Sequence, residues 1–204
     1  MIQYVLIGAG LAFAAVVQPG PLQAFLLARV ASAGWKRTLP ACFAPLISDG
    51  PIALVSVLVL GHLSGVFQQV LRGAGGFYLL YLAWLTFLDL RKPPGTVASP
   101  SAPRTFVDAV VVNLLNPNPY LGWMLVLGPS VIAAWDQSPS SAVVLLAAFY
   151  GTMVVGLAAF ILAVGTSRFL GAQGRRVLVA VSATILAGLG LFLLATSVLR
   201  LWGS

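Results

Sequence analysis

The chain has 204 residues, 60% of them hydrophobic, with only 7% charged side chains and a mean hydropathy of +1.01. Soluble domains carry about a quarter charged residues because their surface faces water, so this composition excludes a water-soluble fold and assigns the chain to a bilayer. The charge is one-sided, eleven Lys and Arg against four acids and no Glu, for a net +7; in a membrane protein such an excess belongs in cytoplasmic loops rather than on nucleic acid.

One cysteine, Cys42, and one histidine, His62, exclude an internal disulfide, a two-thiol redox relay and a Cys- or His-based metal cluster. No cofactor is expected. The apolar start, residues 1–17, lacks the basic flank of a signal peptide and runs on into further apolar sequence, so it reads as part of the first helix.

A membrane-spanning helix needs about 20 mainly apolar residues. On that measure the chain divides into residues 3–32, 39–60, 71–90, 106–134, 141–164 and 177–201, with one hydrophilic Pro- and Ser-rich linker at 91–105. The loops after helices one, three and five hold Arg29, Lys36, Arg37, Arg91, Lys92, Arg104, Arg168, Arg175 and Arg176; the opposite side holds only Arg72 and Arg200. The positive-inside rule then makes those loops cytoplasmic and puts both termini outside.

Segments one and four are too long for a single crossing, since the first would extend roughly 45 Å against a hydrocarbon core of about 30 Å. Each carries a paired-proline break, Gln18-Pro19-Gly20-Pro21 in the first and Asn116-Pro117-Asn118-Pro119 in the fourth, with each proline 98 positions from its counterpart. Three helices per repeat is an odd count, so the second copy enters the membrane from the opposite side. The expected fold is an all-α membrane protein of about six transmembrane helices in two inverted repeats, 1–90 and 106–204, joined by the cytoplasmic linker, with helices one and four broken at Pro-x-Pro. Secondary transporters with this plan bind substrate where broken helices meet near the midplane.

Proline cannot donate to the carbonyl four residues earlier, which frees those of Ala15, Val17, Asn113 and Leu115. Half-helices starting at Leu22 and Tyr120 are expected to present unpaired N–H groups and a positive dipole end, which suits a carboxylate. The alternative is that the prolines only kink the helices for packing.

Asp49, in Pro45-Leu46-Ile47-Ser48-Asp49-Gly50-Pro51, is the one acid well inside an expected span. An aspartate at mid-helix costs about 2.5–3.5 kcal/mol to insert, so it faces the bundle interior or a wet cavity. It is a candidate for holding a proton or a substrate ammonium group; the alternative is a structural acceptor for a half-helix N-terminus. Asn113, Asn116 and Tyr120 share a helix face at spacings of three and four. With Gln18 and Asn118 they offer uncharged donors and acceptors, able either to bind both ends of a zwitterion or to join helices. The glycines at 73, 75, 76, 188 and 190 read as packing positions, and Tyr78, Tyr81, Trp84, Trp123 and Trp202 as interfacial or packing aromatics. Arg29 and Asp108 read as interfacial, Asp136 as a loop residue.

These residues resemble the lysine exporter (LysE/RhtB) family. The family's Pro-Gly-Pro is present as Pro19-Gly20-Pro21, its Gly-Asp pair as Ser48-Asp49, and its Asn-x-x-Asn-Pro motif as Asn113-Leu114-Leu115-Asn116-Pro117. Its helix-three stretch appears as Gly75-Gly76-Phe77-Tyr78-Leu79-Leu80-Tyr81-Leu82, with Ala83 where Gly is usual. Where many members continue Asn-Pro-Lys, this chain has Asn118-Pro119-Tyr120 and no lysine.

The resemblance implies export of amino acids or related metabolites across the bacterial inner membrane, driven by an ion gradient, usually protons. The absence of Glu and the scarcity of buried acids point to neutral substrates. The expected substrate site comprises Gln18, Pro19, Gly20, Pro21, Asn113, Asn116, Pro117, Asn118 and Tyr120, with Asp49 in proton coupling. Partners are an amino-acid substrate and the lipid bilayer, with self-association into a homo-oligomer left open. Competing readings are a passive channel for small polar solutes and a metal-ion exporter of the wider superfamily. A membrane enzyme would need a nucleophile–base or metal constellation, and the sequence offers none.

Overall fold

The computed structural model describes residues 1–58, 65–90, 101–166 and 172–202. His62, Arg168 and positions 91–100 of the expected linker lie outside them, as do the side chains of Arg175, Arg176, Arg200 and Trp202.

The described chain is helical throughout: α1 (Ile2–Val17), α2 (Pro21–Ala33), α3 (Trp35–Thr38), a 3₁₀ turn (Leu39–Phe43), α4 (Ala44–Leu58), α5 (Gly65–Leu90), α6 (Ala102–Leu114), α7 (Pro117–Gly122), a π-helical turn (Trp123–Leu127), α8 (Gly128–Gln137), α9 (Pro139–Thr166) and α10 (Ala172–Trp202). Every expected apolar segment corresponds to one of these or to a broken run of them. The linker is shorter than the composition suggests. Ser101 caps α6 by accepting from the Arg104 N–H, and a proline in the first turn suits a helix start, so helix four begins at Ala102.

Trp35–Ser56, Pro139–Thr166 and Val179–Leu199 are each long and apolar enough to cross a membrane, and α1 with α2 is so as a pair bent by 61°. α5 and the run from α6 to α8 are the other two of the six expected segments. Only 28% of the most apolar stretch of α9 is buried within the protein. Phe13, Leu54, Phe77, Val155, Phe192 and Leu199 are exposed likewise. In a bilayer that exposure is expected, because lipid tails solvate apolar side chains as well as the core does.

Small residues set the closest approaches. A Cβ at Gly76 would stand 2.8 Å from the Gly190 carbonyl, and one at Gly190 would stand 2.9 Å from the Gly76 carbonyl, so α5 and α10 touch backbone to backbone. The α1–α9 contact is of the same kind, with Gly8 against the Leu145 carbonyl. Of the expected packing glycines, Gly188 has open space around it instead. The core inside these pairs is built from Phe25, Leu26, Leu79, Leu82, Leu145, Leu157, Ile161 and Leu186. All of α2 from Ala28 to Ser32 is buried, which makes this half-helix the most enclosed element near the breaks.

Candidate functional site

The first break is an open one. α1 stops at Val17, Gln18 and Gly20 are extended, and α2 starts afresh at Pro21. Three of the carbonyls at the end of α1 are satisfied locally. The Gln18 N–H donates to Ala14 O at 3.0 Å, while the Gln23 side-chain amide donates to Ala15 O at 3.1 Å and Val16 O at 3.2 Å. At the start of α2, Pro21 has no N–H, and no side chain caps the following donors of Leu22 and Gln23. These two N–H groups and the dipole of a 13-residue helix therefore face the break.

The second break is closed. Asn116 is the N-cap of α7, and its Oδ1 accepts the Asn118 N–H at 3.1 Å. Pro117 and Pro119 occupy the flanking first-turn positions and have no N–H to give. Two of the carbonyls before the break are also taken: Asn113 O accepts from the Asn116 N–H at 3.2 Å, and Leu114 O from the Tyr120 hydroxyl at 2.9 Å. The helix restarts at Pro117 rather than at Tyr120, and it does not offer the unpaired donors expected there. The reason is local: α7 restarts at the first proline of its pair, on Asn116, whose side chain caps the turn, whereas α2 restarts at the second proline, on Gly20, which has no side chain to cap with.

Between the breaks lies a cavity of about 250 Å³. Gln18, Pro19, Gly20, Asn113, Asn116, Asn118 and Asp49 line it, so seven of the ten residues singled out from the sequence converge on one space. Pro21, Pro117 and Tyr120 are buried in the surrounding packing and do not line it. Apolar side chains close the remainder, notably Leu11, Leu22, Leu127, Phe149, Met153 and Leu157.

Asp49 is 4% exposed and carries the one charge among the lining residues. The Asn113 amide donates to Asp49 Oδ1 at 3.1 Å and to Ser48 Oγ at 2.7 Å, and Ser48 in turn donates to Ala44 O at 3.1 Å. Ser48, standing where the resembled family has glycine, thus helps hold Asn113 against the acid. Trp123 and Tyr150 bring an indole N–H and a phenol toward the same carboxylate. The Trp123 Nε1 is buried with no acceptor in place. A buried carboxylate with amide partners and no cation is costly, and a proton or a bound cation relieves that cost.

Three features escaped the sequence. Gln23 was not singled out, although it is a polar side chain in the first turn after the proline pair, within reach of the carbonyls the break frees. Trp123 was read as an interfacial or packing aromatic, yet it lines the cavity at the junction of α7 and the π-turn; π-bulges are frequent at functional sites. Arg29 and Asp108, read above as interfacial, are also joined to each other across two helices. They form a buried ion pair at 2.6 Å, with side-chain exposures of 7% and 14%, and the Tyr78 hydroxyl donates to Asp108 Oδ1 at 3.0 Å. Two charges 79 positions apart carry no periodic signal that would pair them.

A family model for LysE type translocators matches residues 13–197. No curated protein and no solved structure matches the chain significantly. The match spans both breaks, Asp49 and the Asn113–Asn116 motif, and on it the chain belongs to the LysE type translocator family, whose members are membrane transporters rather than enzymes.

Proposed function

We propose that this family member is a secondary transporter that exports neutral amino acids or close relatives across the bacterial inner membrane, coupled to protons through Asp49. The observation that carries the reading is the cavity where both Pro-x-Pro breaks meet one buried acid and no lysine or arginine. A zwitterion fits that chemistry. Its carboxylate has the uncapped Leu22 and Gln23 N–H groups at the start of α2. Its ammonium group has Asp49, and a neutral side chain has the apolar wall of Phe149, Met153 and Leu157. A cationic side chain would find no second acid among the lining residues.

Asp49 then carries a proton in one half of the cycle and faces substrate in the other, as two inverted halves rock about the cavity with the basic loops cytoplasmic. A passive channel lined by the same breaks would show neither proton coupling nor acceleration by substrate on the far side. Cells fed a panel of dipeptides, with and without the protein, test the reading by mass spectrometry of released amino acids. Faster release of one or a few neutral amino acids is expected. No change across the panel, with the protein present in the membrane, would overturn it.

A further inference from the structure

We infer that the Arg29–Asp108 ion pair, clasped by Tyr78, is the latch that closes the cavity toward the end of the molecule where α2 stops and α6 begins. Arg29 lies eight residues after Pro21, and Asp108 eight residues before Asn116. At 1.5 Å per residue both sit about 12 Å from their breaks, at one level and on one side of the cavity. On α2, the cavity-lining Leu22 is followed at helical spacing by Phe25, 1% exposed, and then by Arg29, whose guanidinium lies 5.2 Å over the Phe25 ring. Phe25 and Arg29 thus plug the way from the cavity, and Asp108 of α6 and Tyr78 of α5 hold the plug shut.

The chemistry of the contact suits a latch better than a permanent joint. A buried ion pair is seldom more stabilising than well-packed apolar side chains of the same volume, so packing alone gives no reason for one here. Its strength, however, depends steeply on its surroundings. Two charges in contact attract strongly in a dry interior and weakly once water surrounds them. A pair between helices of the two halves is therefore firm while the plug is shut and weak as soon as water enters, which favours two discrete states over a continuum.

The inference rests on translocation by this family and not on any particular substrate, so its test needs none. In a Cys42→Ala background, Ala14→Cys places a single thiol on the cavity wall. Its reaction with a membrane-impermeant maleimide is followed in sealed vesicles of both orientations. With the latch intact, labelling from the α2–α6 side is slow. Asp108→Asn is expected to speed it about tenfold or more, and Tyr78→Phe, which keeps the ion pair, by less. Exchanging the charges, Arg29→Asp with Asp108→Arg, is expected to bring it back toward the slow rate. Unchanged labelling in Asp108→Asn present at the parental level overturns the latch, as does a charge exchange that labels as fast as the single variant. If Asp108→Asn does not accumulate in the membrane, Tyr78→Phe decides: faster labelling supports the latch and an unchanged rate overturns it. Failure of the amino-acid release assay would leave this result standing.

Discussion

The two proline breaks share a pattern and differ in what they leave unbonded. At the first, Gly20 precedes Pro21 and provides no cap, so α2 begins with bare N–H groups, while Gln23 reaches back to the end of α1. At the second, Asn116 precedes Pro117 and caps its own turn, and Tyr120 reaches back to Leu114 O. The cap of α2, Gly20, matches Asn118 in the repeat, and the cap of α7, Asn116, matches Gln18, so the second helix restarts two residues earlier in the pattern, on a side chain that can cap. One end is left to meet an anion and the other has already satisfied itself. A repeat in sequence need not be a repeat in chemistry.

Asp49 lies between the breaks and should show the largest effect. Asp49→Asn is expected to lower transport ~30-fold or more, equivalent to about 2 kcal/mol for losing one partner of a buried charged contact. Counterflow in proteoliposomes checks it; normal, pH-independent transport would remove Asp49 from the mechanism. Gln23→Ala comes next. It leaves Ala15 O and Val16 O without their donor, at about 1–3 kcal/mol, and is expected to raise KM as well as lower thermal stability in detergent.

Asn116→Ala is expected to cost about 1 kcal/mol of stability, the usual loss for an N-cap, with KM nearly unchanged. This comparison is the sharpest, because an Asn116→Ala variant that raises KM as much as Gln23→Ala would make the two breaks equivalent. Tyr120→Phe should be smallest, about 0.5–1 kcal/mol in thermal melting, because the hydroxyl bonds a carbonyl on a partly buried residue away from the cavity.

Much of the site was legible because its signals are local. Proline pairs announce freed carbonyls, and a mid-span aspartate announces a cavity, whatever surrounds them. Gln18, Asp49, Asn113, Asn116 and Asn118 were found this way and converge. What local reasoning missed was which donors are already used. That Asn116 Oδ1 accepts the Asn118 N–H, and that the Tyr120 hydroxyl donates to Leu114 O, depends on rotamers and turn geometry that residue types do not specify. The same limit hid the role of Ser48, whose hydroxyl shares Asn113 with the acid beside it.

The sequence by itself determined that the chain lies in a membrane, where its helices run, where two of them break, and which acid is buried. Composition, apolar length and proline chemistry act within a few residues of themselves, so no fold is needed to read them. Only the tertiary structure decided that α2 meets α6 through Arg29 and Asp108, that Trp123 turns into the cavity, and that one break stays open while the other closes. Those outcomes depend on which helix faces which, and in a bilayer that choice is made by close packing of small residues and a few buried polar contacts rather than by apolarity, which every face of these helices shares.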